Sequence, residues 1–136
     1  MKIFQLWSSK KLYLTLGALC LFIFCASVKP FTDITPHQAQ NLIEKHARNN
    51  VLILLDVRTP AEFAAGHLNG ALNLNLNAPD FADRLNELDK TKIYLVYCIG
   101  GVRSARAMQI MQKRGFRQVY NLSGGLSKWQ AENRAL

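Results

Sequence analysis

Cys98 is the residue of this chain whose setting best suits covalent chemistry. It closes the apolar run Ile93-Tyr94-Leu95-Val96-Tyr97 and opens Cys98-Ile99-Gly100-Gly101-Val102-Arg103-Ser104, a short glycine-bearing segment that passes straight into a helical pattern. Successive backbone N–H groups in such a loop, together with the N-terminus of the following helix, make an anion cradle. A thiol at its base, with Arg103 close by and no acid anywhere from residue 90 to 131, is biased toward the thiolate. The field that does this also holds an anionic substrate against the sulfur, which is how a nucleophilic thiol is built. A lone cysteine ending an apolar run is often a small core hydrophobe. A core role, however, requires neither two glycines nor Arg103 nor a helix start directly after it.

Other chemistry-bearing groups form no comparable arrangement. His37, His46 and His67 are scattered without metal-ligand spacing to Cys98 or to a carboxylate, so no metal site is expected. His67 reads as a turn histidine bonded locally. Phosphate-binding glycine loops of nucleotide enzymes are absent from the sequence. Arg103, Arg106, Lys113, Arg114 and Arg117 lie on and after one helix without interleaved stacking aromatics, which reads as a solvated face and not a nucleic-acid surface.

The elements that must position Cys98 follow from local patterns. VLILLDV at 51–57 and IYLVY at 93–97 are continuous apolar runs, as suits strands buried on both faces of a parallel sheet. Shorter strands are expected at 71–74 and 119–122. Thr35-Pro36 opens a helix with Ala39, Leu42, Ile43 and Ala47 on one stripe, and Thr59-Pro60-Ala61-Glu62 has capping-box spacing for a short helix ending near Gly66. Helices are also expected over 79–88, with Phe81, Leu85 and Leu88 inward, over 104–114, and after Gly124-Gly125. Trp129 on the last is expected as a core anchor beside Phe116 and Leu126. Alternating strands and helices give an α/β class, a three-layer α/β/α domain with a parallel sheet. Ligands bind such sheets at the carboxyl ends of the strands, where Cys98 stands.

The chain has 136 residues, with 17 Lys and Arg against 9 Asp and Glu, for a net charge of +8. That charge is unevenly placed. Lys2, Lys10, Lys11 and Lys29 flank the 17-residue uncharged stretch 12–28, which reads as a hydrophobic helix serving as a signal peptide or signal-anchor membrane segment. Leu19 before Cys20 and Phe24 before Cys25 are poor for lipidation. The division expected is 1–29 as leader and 30–136 as the domain, anchored or exported to the outer, periplasmic or extracytoplasmic, side. Residues 30–89 carry 4 bases and 8 acids, whereas 90–131 carry 8 bases and none. With Cys20 and Cys25 in the leader, the domain keeps one free thiol and no disulfide framework.

Three separated motifs resemble one family. Asp56-Val57-Arg58, Glu62-Phe63, Gly66-His67-Leu68 and Gly70-Ala71-Leu72-Asn73 are similar to the first signature of single-domain rhodaneses; Cys98 to Ser104 matches their C-x-x-G-x-R-S pattern; Gly124-Gly125-Leu126 with Trp129 resembles their G-G-x-x-x-W element. The similarity spans about residues 31–132. It implies a five-stranded parallel sheet and a sulfurtransferase that moves a sulfane sulfur from thiosulfate, a persulfide or polysulfide through a Cys98 persulfide to a thiol or cyanide, without a cofactor. Carried onto this chain, the amides of Ile99, Gly100, Gly101, Val102, Arg103 and Ser104 hold the anion. Arg103 adds charge from within the loop. Asp56, Arg58 and Glu62 support the site, Arg58 and Glu62 as a pair at helical spacing. Cys98 to Arg103 is six residues, one fewer than in the related cell-cycle phosphatases, which disfavours phosphoryl chemistry. Ile99 and Val102 replace the polar or basic residues of many members, which implies slower turnover of thiosulfate. The second reading is a rhodanese-like module that carries or senses sulfur, or docks a partner, with little turnover.

Overall fold

The computed structural model describes residues 30–132 and 134–136; the stretch 12–28, expected as a signal or membrane segment, lies outside the described residues. Five strands, β1 (Phe31–Ile34), β2 (Leu52–Asp56), β3 (Leu72–Asn73), β4 (Ile93–Tyr97) and β5 (Gln118–Leu122), form one parallel sheet in the order β1-β5-β4-β2-β3. Strand β4 is central, and its Tyr94, Leu95, Val96 and Tyr97 are fully buried. Full burial of one such side chain stabilises by roughly 1.5 to 3 kcal/mol, which is why the most uniformly apolar run takes the middle position. The fifth strand, β1, was not expected from the residues alone. Its four residues Phe31-Thr32-Asp33-Ile34 are too short and too mixed to show a period, and pairing with β5 (Ile34 opposite Leu122) holds them.

Helices α1 (Pro36–His46) and α5 (Gly125–Ala131) cover one face; α3 (Phe81–Arg84) and α4 (Val102–Lys113) cover the other, and α2 (Pro60–Ala64) follows β2. Both expected capping signals form, Thr35 with Gln38 and Thr59 with Glu62. The helix expected over 79–88 is interrupted: α3 is one turn, and a 3-10 turn at Leu85–Glu87 continues it, with Phe81 and Leu85 still buried. Helix α4 starts at Val102 and not at Ser104, because Gly101 caps it. Trp129 packs with Leu126, as expected, but Phe116 lies on the opposite face of the sheet, edge-on to Tyr94. The parity of the strands decides this, since Tyr94 and Val96 face α4 while Leu95 and Tyr97 face α1 and α5.

At the carboxyl end of β2 the expected Arg58–Glu62 pair is not made. Arg58 turns back on Asp56, donating Nε and Nη2 to its carboxylate at 3.0 and 2.6 Å, and Nη2 also reaches the Gly66 carbonyl at 2.6 Å. Both residues are buried. Asn73 closes the same corner by donating to the carbonyls of Asp56 and Arg58. Removing one partner of a buried pair leaves the other charge without compensation, a loss of about 3 to 5 kcal/mol. Arg58→Met is therefore expected to lower the free energy of unfolding by about that amount, measured by urea denaturation, and a change below about 1 kcal/mol would refute the role given to this pair.

Candidate active site

Cys98 follows β4 in phase with Tyr94 and Val96, so its side chain enters the face covered by α4. It is 1% exposed. The sulfur accepts the Gly101 N–H at 3.1 Å and faces the Ser104 hydroxyl at 3.4 Å. Gly101, at φ 91°, takes the left-handed conformation that turns its amide inward beneath the helix start. Burial pushes the thiol up; hydrogen bonds from the Ser104 side chain and from the backbone of Ser104, Gly100 and Gly101 outweigh it, and the thiol lies below its ordinary value. Such a group is a thiolate-biased sulfur in a nest of donors, able to attack an electrophilic sulfur and to stabilise the anion that results.

Arg103 stands in the first turn of α4, not within the loop. It donates Nη1 and Nη2 to both carboxylate oxygens of Glu62 at 2.9 and 2.6 Å. Glu62 also accepts the backbone N–H and hydroxyl of Thr59, each at 3.0 Å, and so serves as capping residue of α2 and as anchor of α4 together. The Arg103 bond, against partial desolvation, pulls the Glu62 carboxyl from 4.5 to about 2. Much of the positive charge expected near the sulfur is thereby neutralised. Ile99 and Val102, the apolar members of the segment, are 42% and 81% exposed and form its outer lip, with Gly100 exposed between them. His67 donates its Nδ1–H to the Phe63 carbonyl at 2.9 Å and stacks on the Phe63 ring, the local role expected of it.

Two groups of residues escaped the sequence reading. The amides of Leu126 and Ser127, in the first turn of α5, donate to the carbonyls of Cys98 and Ile99 at 2.8 and 3.0 Å. Gly125 permits that approach: a Cβ there would lie 2.4 Å from the Cys98 carbonyl oxygen, and its φ is 57°. The visible signal was the Gly124-Gly125 pair opening a helix. Asn121 of β5, buried, donates to the Gly101 carbonyl at 3.2 Å; nothing in its local sequence marked it.

The model of the Rhodanese-like domain family matches residues 35–132, most of the chain. The chain belongs to the rhodanese-like domain family. It is 43% identical to the YqhL protein of Bacillus subtilis over 82 residues, 60% of this chain and 64% of that one. It is also 34% identical to the thiosulfate sulfurtransferase GlpE of Ectopseudomonas mendocina over 101 residues, 74% of this chain and 86% of the relative. Among solved structures, a rhodanese-like domain protein from Staphylococcus aureus superposes with a TM-score of 0.62 at 31% identity, covering 72% of this chain and 90% of the other. The rhodanese-like fold with a five-stranded parallel sheet thus has relatives named sulfurtransferases.

Two outcomes follow from this geometry. Gly125→Ala forces a left-handed alanine against the Cys98 backbone and costs both α5 contacts, so unfolding free energy is expected to fall by roughly 2 to 4 kcal/mol; a change within about 0.5 kcal/mol in urea melts would contradict the docking described. Glu62 titrates lower in the folded chain than in the unfolded one, so its contribution to stability is present above pH 4.5 and is lost as pH falls toward 2. Urea midpoints measured across that window should fall more steeply for the wild type than for Glu62→Gln, and parallel slopes would count against the Arg103 pairing.

Proposed function

We propose that this chain is a sulfurtransferase in which Cys98 carries a sulfane sulfur as a persulfide. The Cys98 thiolate attacks the terminal sulfur of a donor. An Sγ–S bond forms as the donor's S–S bond breaks, and the electron pair leaves with sulfite from thiosulfate, or with a thiolate or shortened polysulfide. The outer sulfur then passes to an acceptor thiolate or to cyanide, and Cys98 returns to its thiolate without net oxidation. The observation that carries this reading is the buried sulfur with the Gly101 amide at 3.1 Å and the Ser104 hydroxyl at 3.4 Å. Donors fixed in place stabilise a charge that moves from Sγ to the outer sulfur. Relatives named sulfurtransferases support the same class.

The rim favours a donor of low charge. With Arg103 held by Glu62 and with Ile99 and Val102 exposed, a singly charged alkyl persulfide meets less desolvation penalty than the thiosulfate dianion. On the charge pattern of residues 2 to 28, the domain is placed at the outer face of a membrane or exported across it.

Mass spectrometry of the 93–103 tryptic peptide, taken from the full chain after donor treatment and alkylation, tests the reading without interference from Cys20 and Cys25. A gain of one sulfur, roughly 32 Da, removable by cyanide or a thiol, is expected in the wild type and not in Cys98→Ser. Loading should be faster from an alkyl persulfide than from thiosulfate. Absence of the gain with either donor would remove the assignment.

A further inference from the structure

The Ser104 hydroxyl has one proton and two acceptors within reach, the Cys98 sulfur at 3.4 Å and the Gly101 carbonyl at 3.1 Å. Both are within hydrogen-bond range, since the larger radius of sulfur makes the two distances comparable, so the proton can go to either. The Gly101 carbonyl, however, already receives the Ala105 N–H at 3.0 Å and the Asn121 amide at 3.2 Å, which fill its two lone pairs. We propose that Asn121 is a positioning residue that occupies the Gly101 carbonyl and so commits the Ser104 proton to the Cys98 sulfur.

The orientation of the Asn121 amide is fixed by its surroundings. Its Nδ2 also donates to Asp33 Oδ1 at 2.8 Å, across the β1–β5 register in which Asp33 stands opposite Asn121. Both neighbours of Nδ2 are acceptors, so a turned amide would set oxygen against oxygen twice. Asn121 is 3% exposed, and its Oδ1 has no hydrogen-bond partner among the described residues. A buried carbonyl left without a donor is destabilising. A residue kept here for packing alone would not need this amide, and what the amide provides is two donors aimed at Asp33 and Gly101. Parity places it on the right side, since Asn121 shares the α4 face with Val119 and Cys98.

The charged groups around the sulfur are Arg103 from α4, its partner Glu62 from α2, and Asp33 from β1 through Asn121. Asn121→Leu leaves these charged groups in the chain but takes the donor from both Gly101 and Asp33; an effect through the Asp33 charge would appear equally with and without Ser104, and only an effect through the Ser104 proton disappears in Ser104→Ala. With that donor gone, the Ser104 proton turns to the Gly101 carbonyl, the sulfur loses one hydrogen bond, and its thiolate becomes less favoured.

The test is the pH profile of iodoacetamide alkylation at Cys98, followed on the 93–103 peptide of the full chain, in wild type, Asn121→Leu, Ser104→Ala and the double variant. Below the midpoint of the profile, Asn121→Leu is expected to slow alkylation about three- to tenfold, matching a rise of about half to one pH unit in the midpoint. Ser104→Ala is expected to do the same, and Asn121→Leu added to it is expected to do nothing more. An equal slowing by Asn121→Leu in both backgrounds, or none in either, would overturn the proposal. Asn121→Ala, which removes the donor without adding bulk or charge, is run beside it and read by the same difference between backgrounds, so a folding failure of the leucine variant leaves the question answerable. This readout needs no sulfur transfer and stays distinct from the persulfide assignment, on which only the consequence for turnover rests.

Discussion

The carbonyl oxygens of Cys98 and Ile99 accept the Leu126 and Ser127 amides, and the shape of the segment around the sulfur depends on that exchange. A fully buried strand that ends in a tight turn leaves peptide groups away from water, and each must find a partner. Here the carbonyls of Cys98 and Ile99 are taken by the start of α5, while the amides of the next residues, Gly100 and Gly101, turn toward Sγ. Helix α4 then supplies its own first-turn amides from the other side. The two short-range events, a glycine turning at 101 and a glycine yielding space at 125, serve one end.

What the sequence made legible was local. The apolar runs became β2 and β4, the capping spacings became α1 and α2, and Cys98 came to stand at the carboxyl end of the central strand because length and uniform hydrophobicity mark a buried strand without any partner being known. The contacts that finish the site join residues far apart in the chain. Glu62 meets Arg103 across 41 positions, and Asn121 meets Asp33 across 88. Helical spacing suggested Arg58 for Glu62, but Arg58 had a nearer carboxylate in Asp56, and the choice between them is made by burial, which a sequence does not display. Phe116 was likewise assigned to the wrong face because the parity of β4 and β5 decides sides, and parity appears only once the strands are paired.

The division of charge between the two halves of the domain has a structural expression at Glu62 and Arg103. The acid-rich half contributes the carboxylate from α2, and the acid-free half contributes the guanidinium from α4. Their bidentate pair therefore ties together the two halves of the chain at the rim of the sulfur site. The pair holds helix α4 in place, while backbone dipoles and the Ser104 hydroxyl supply the hydrogen bonds to the sulfur.

Trp129 lies in α5 two residues beyond Ser127, buried against Leu126, with its indole N–H on the Ala135 carbonyl at 2.8 Å. The same helix therefore carries the amides that shape the sulfur loop and the one indole among the described residues, the chain's other tryptophan being Trp7, outside them. An indole in an apolar setting emits at shorter wavelength than one in water. The emission colour of this domain is thus an optical record of whether α5 is seated, and the molecule carries, one helical turn from its reactive loop, a native reporter of that loop's condition.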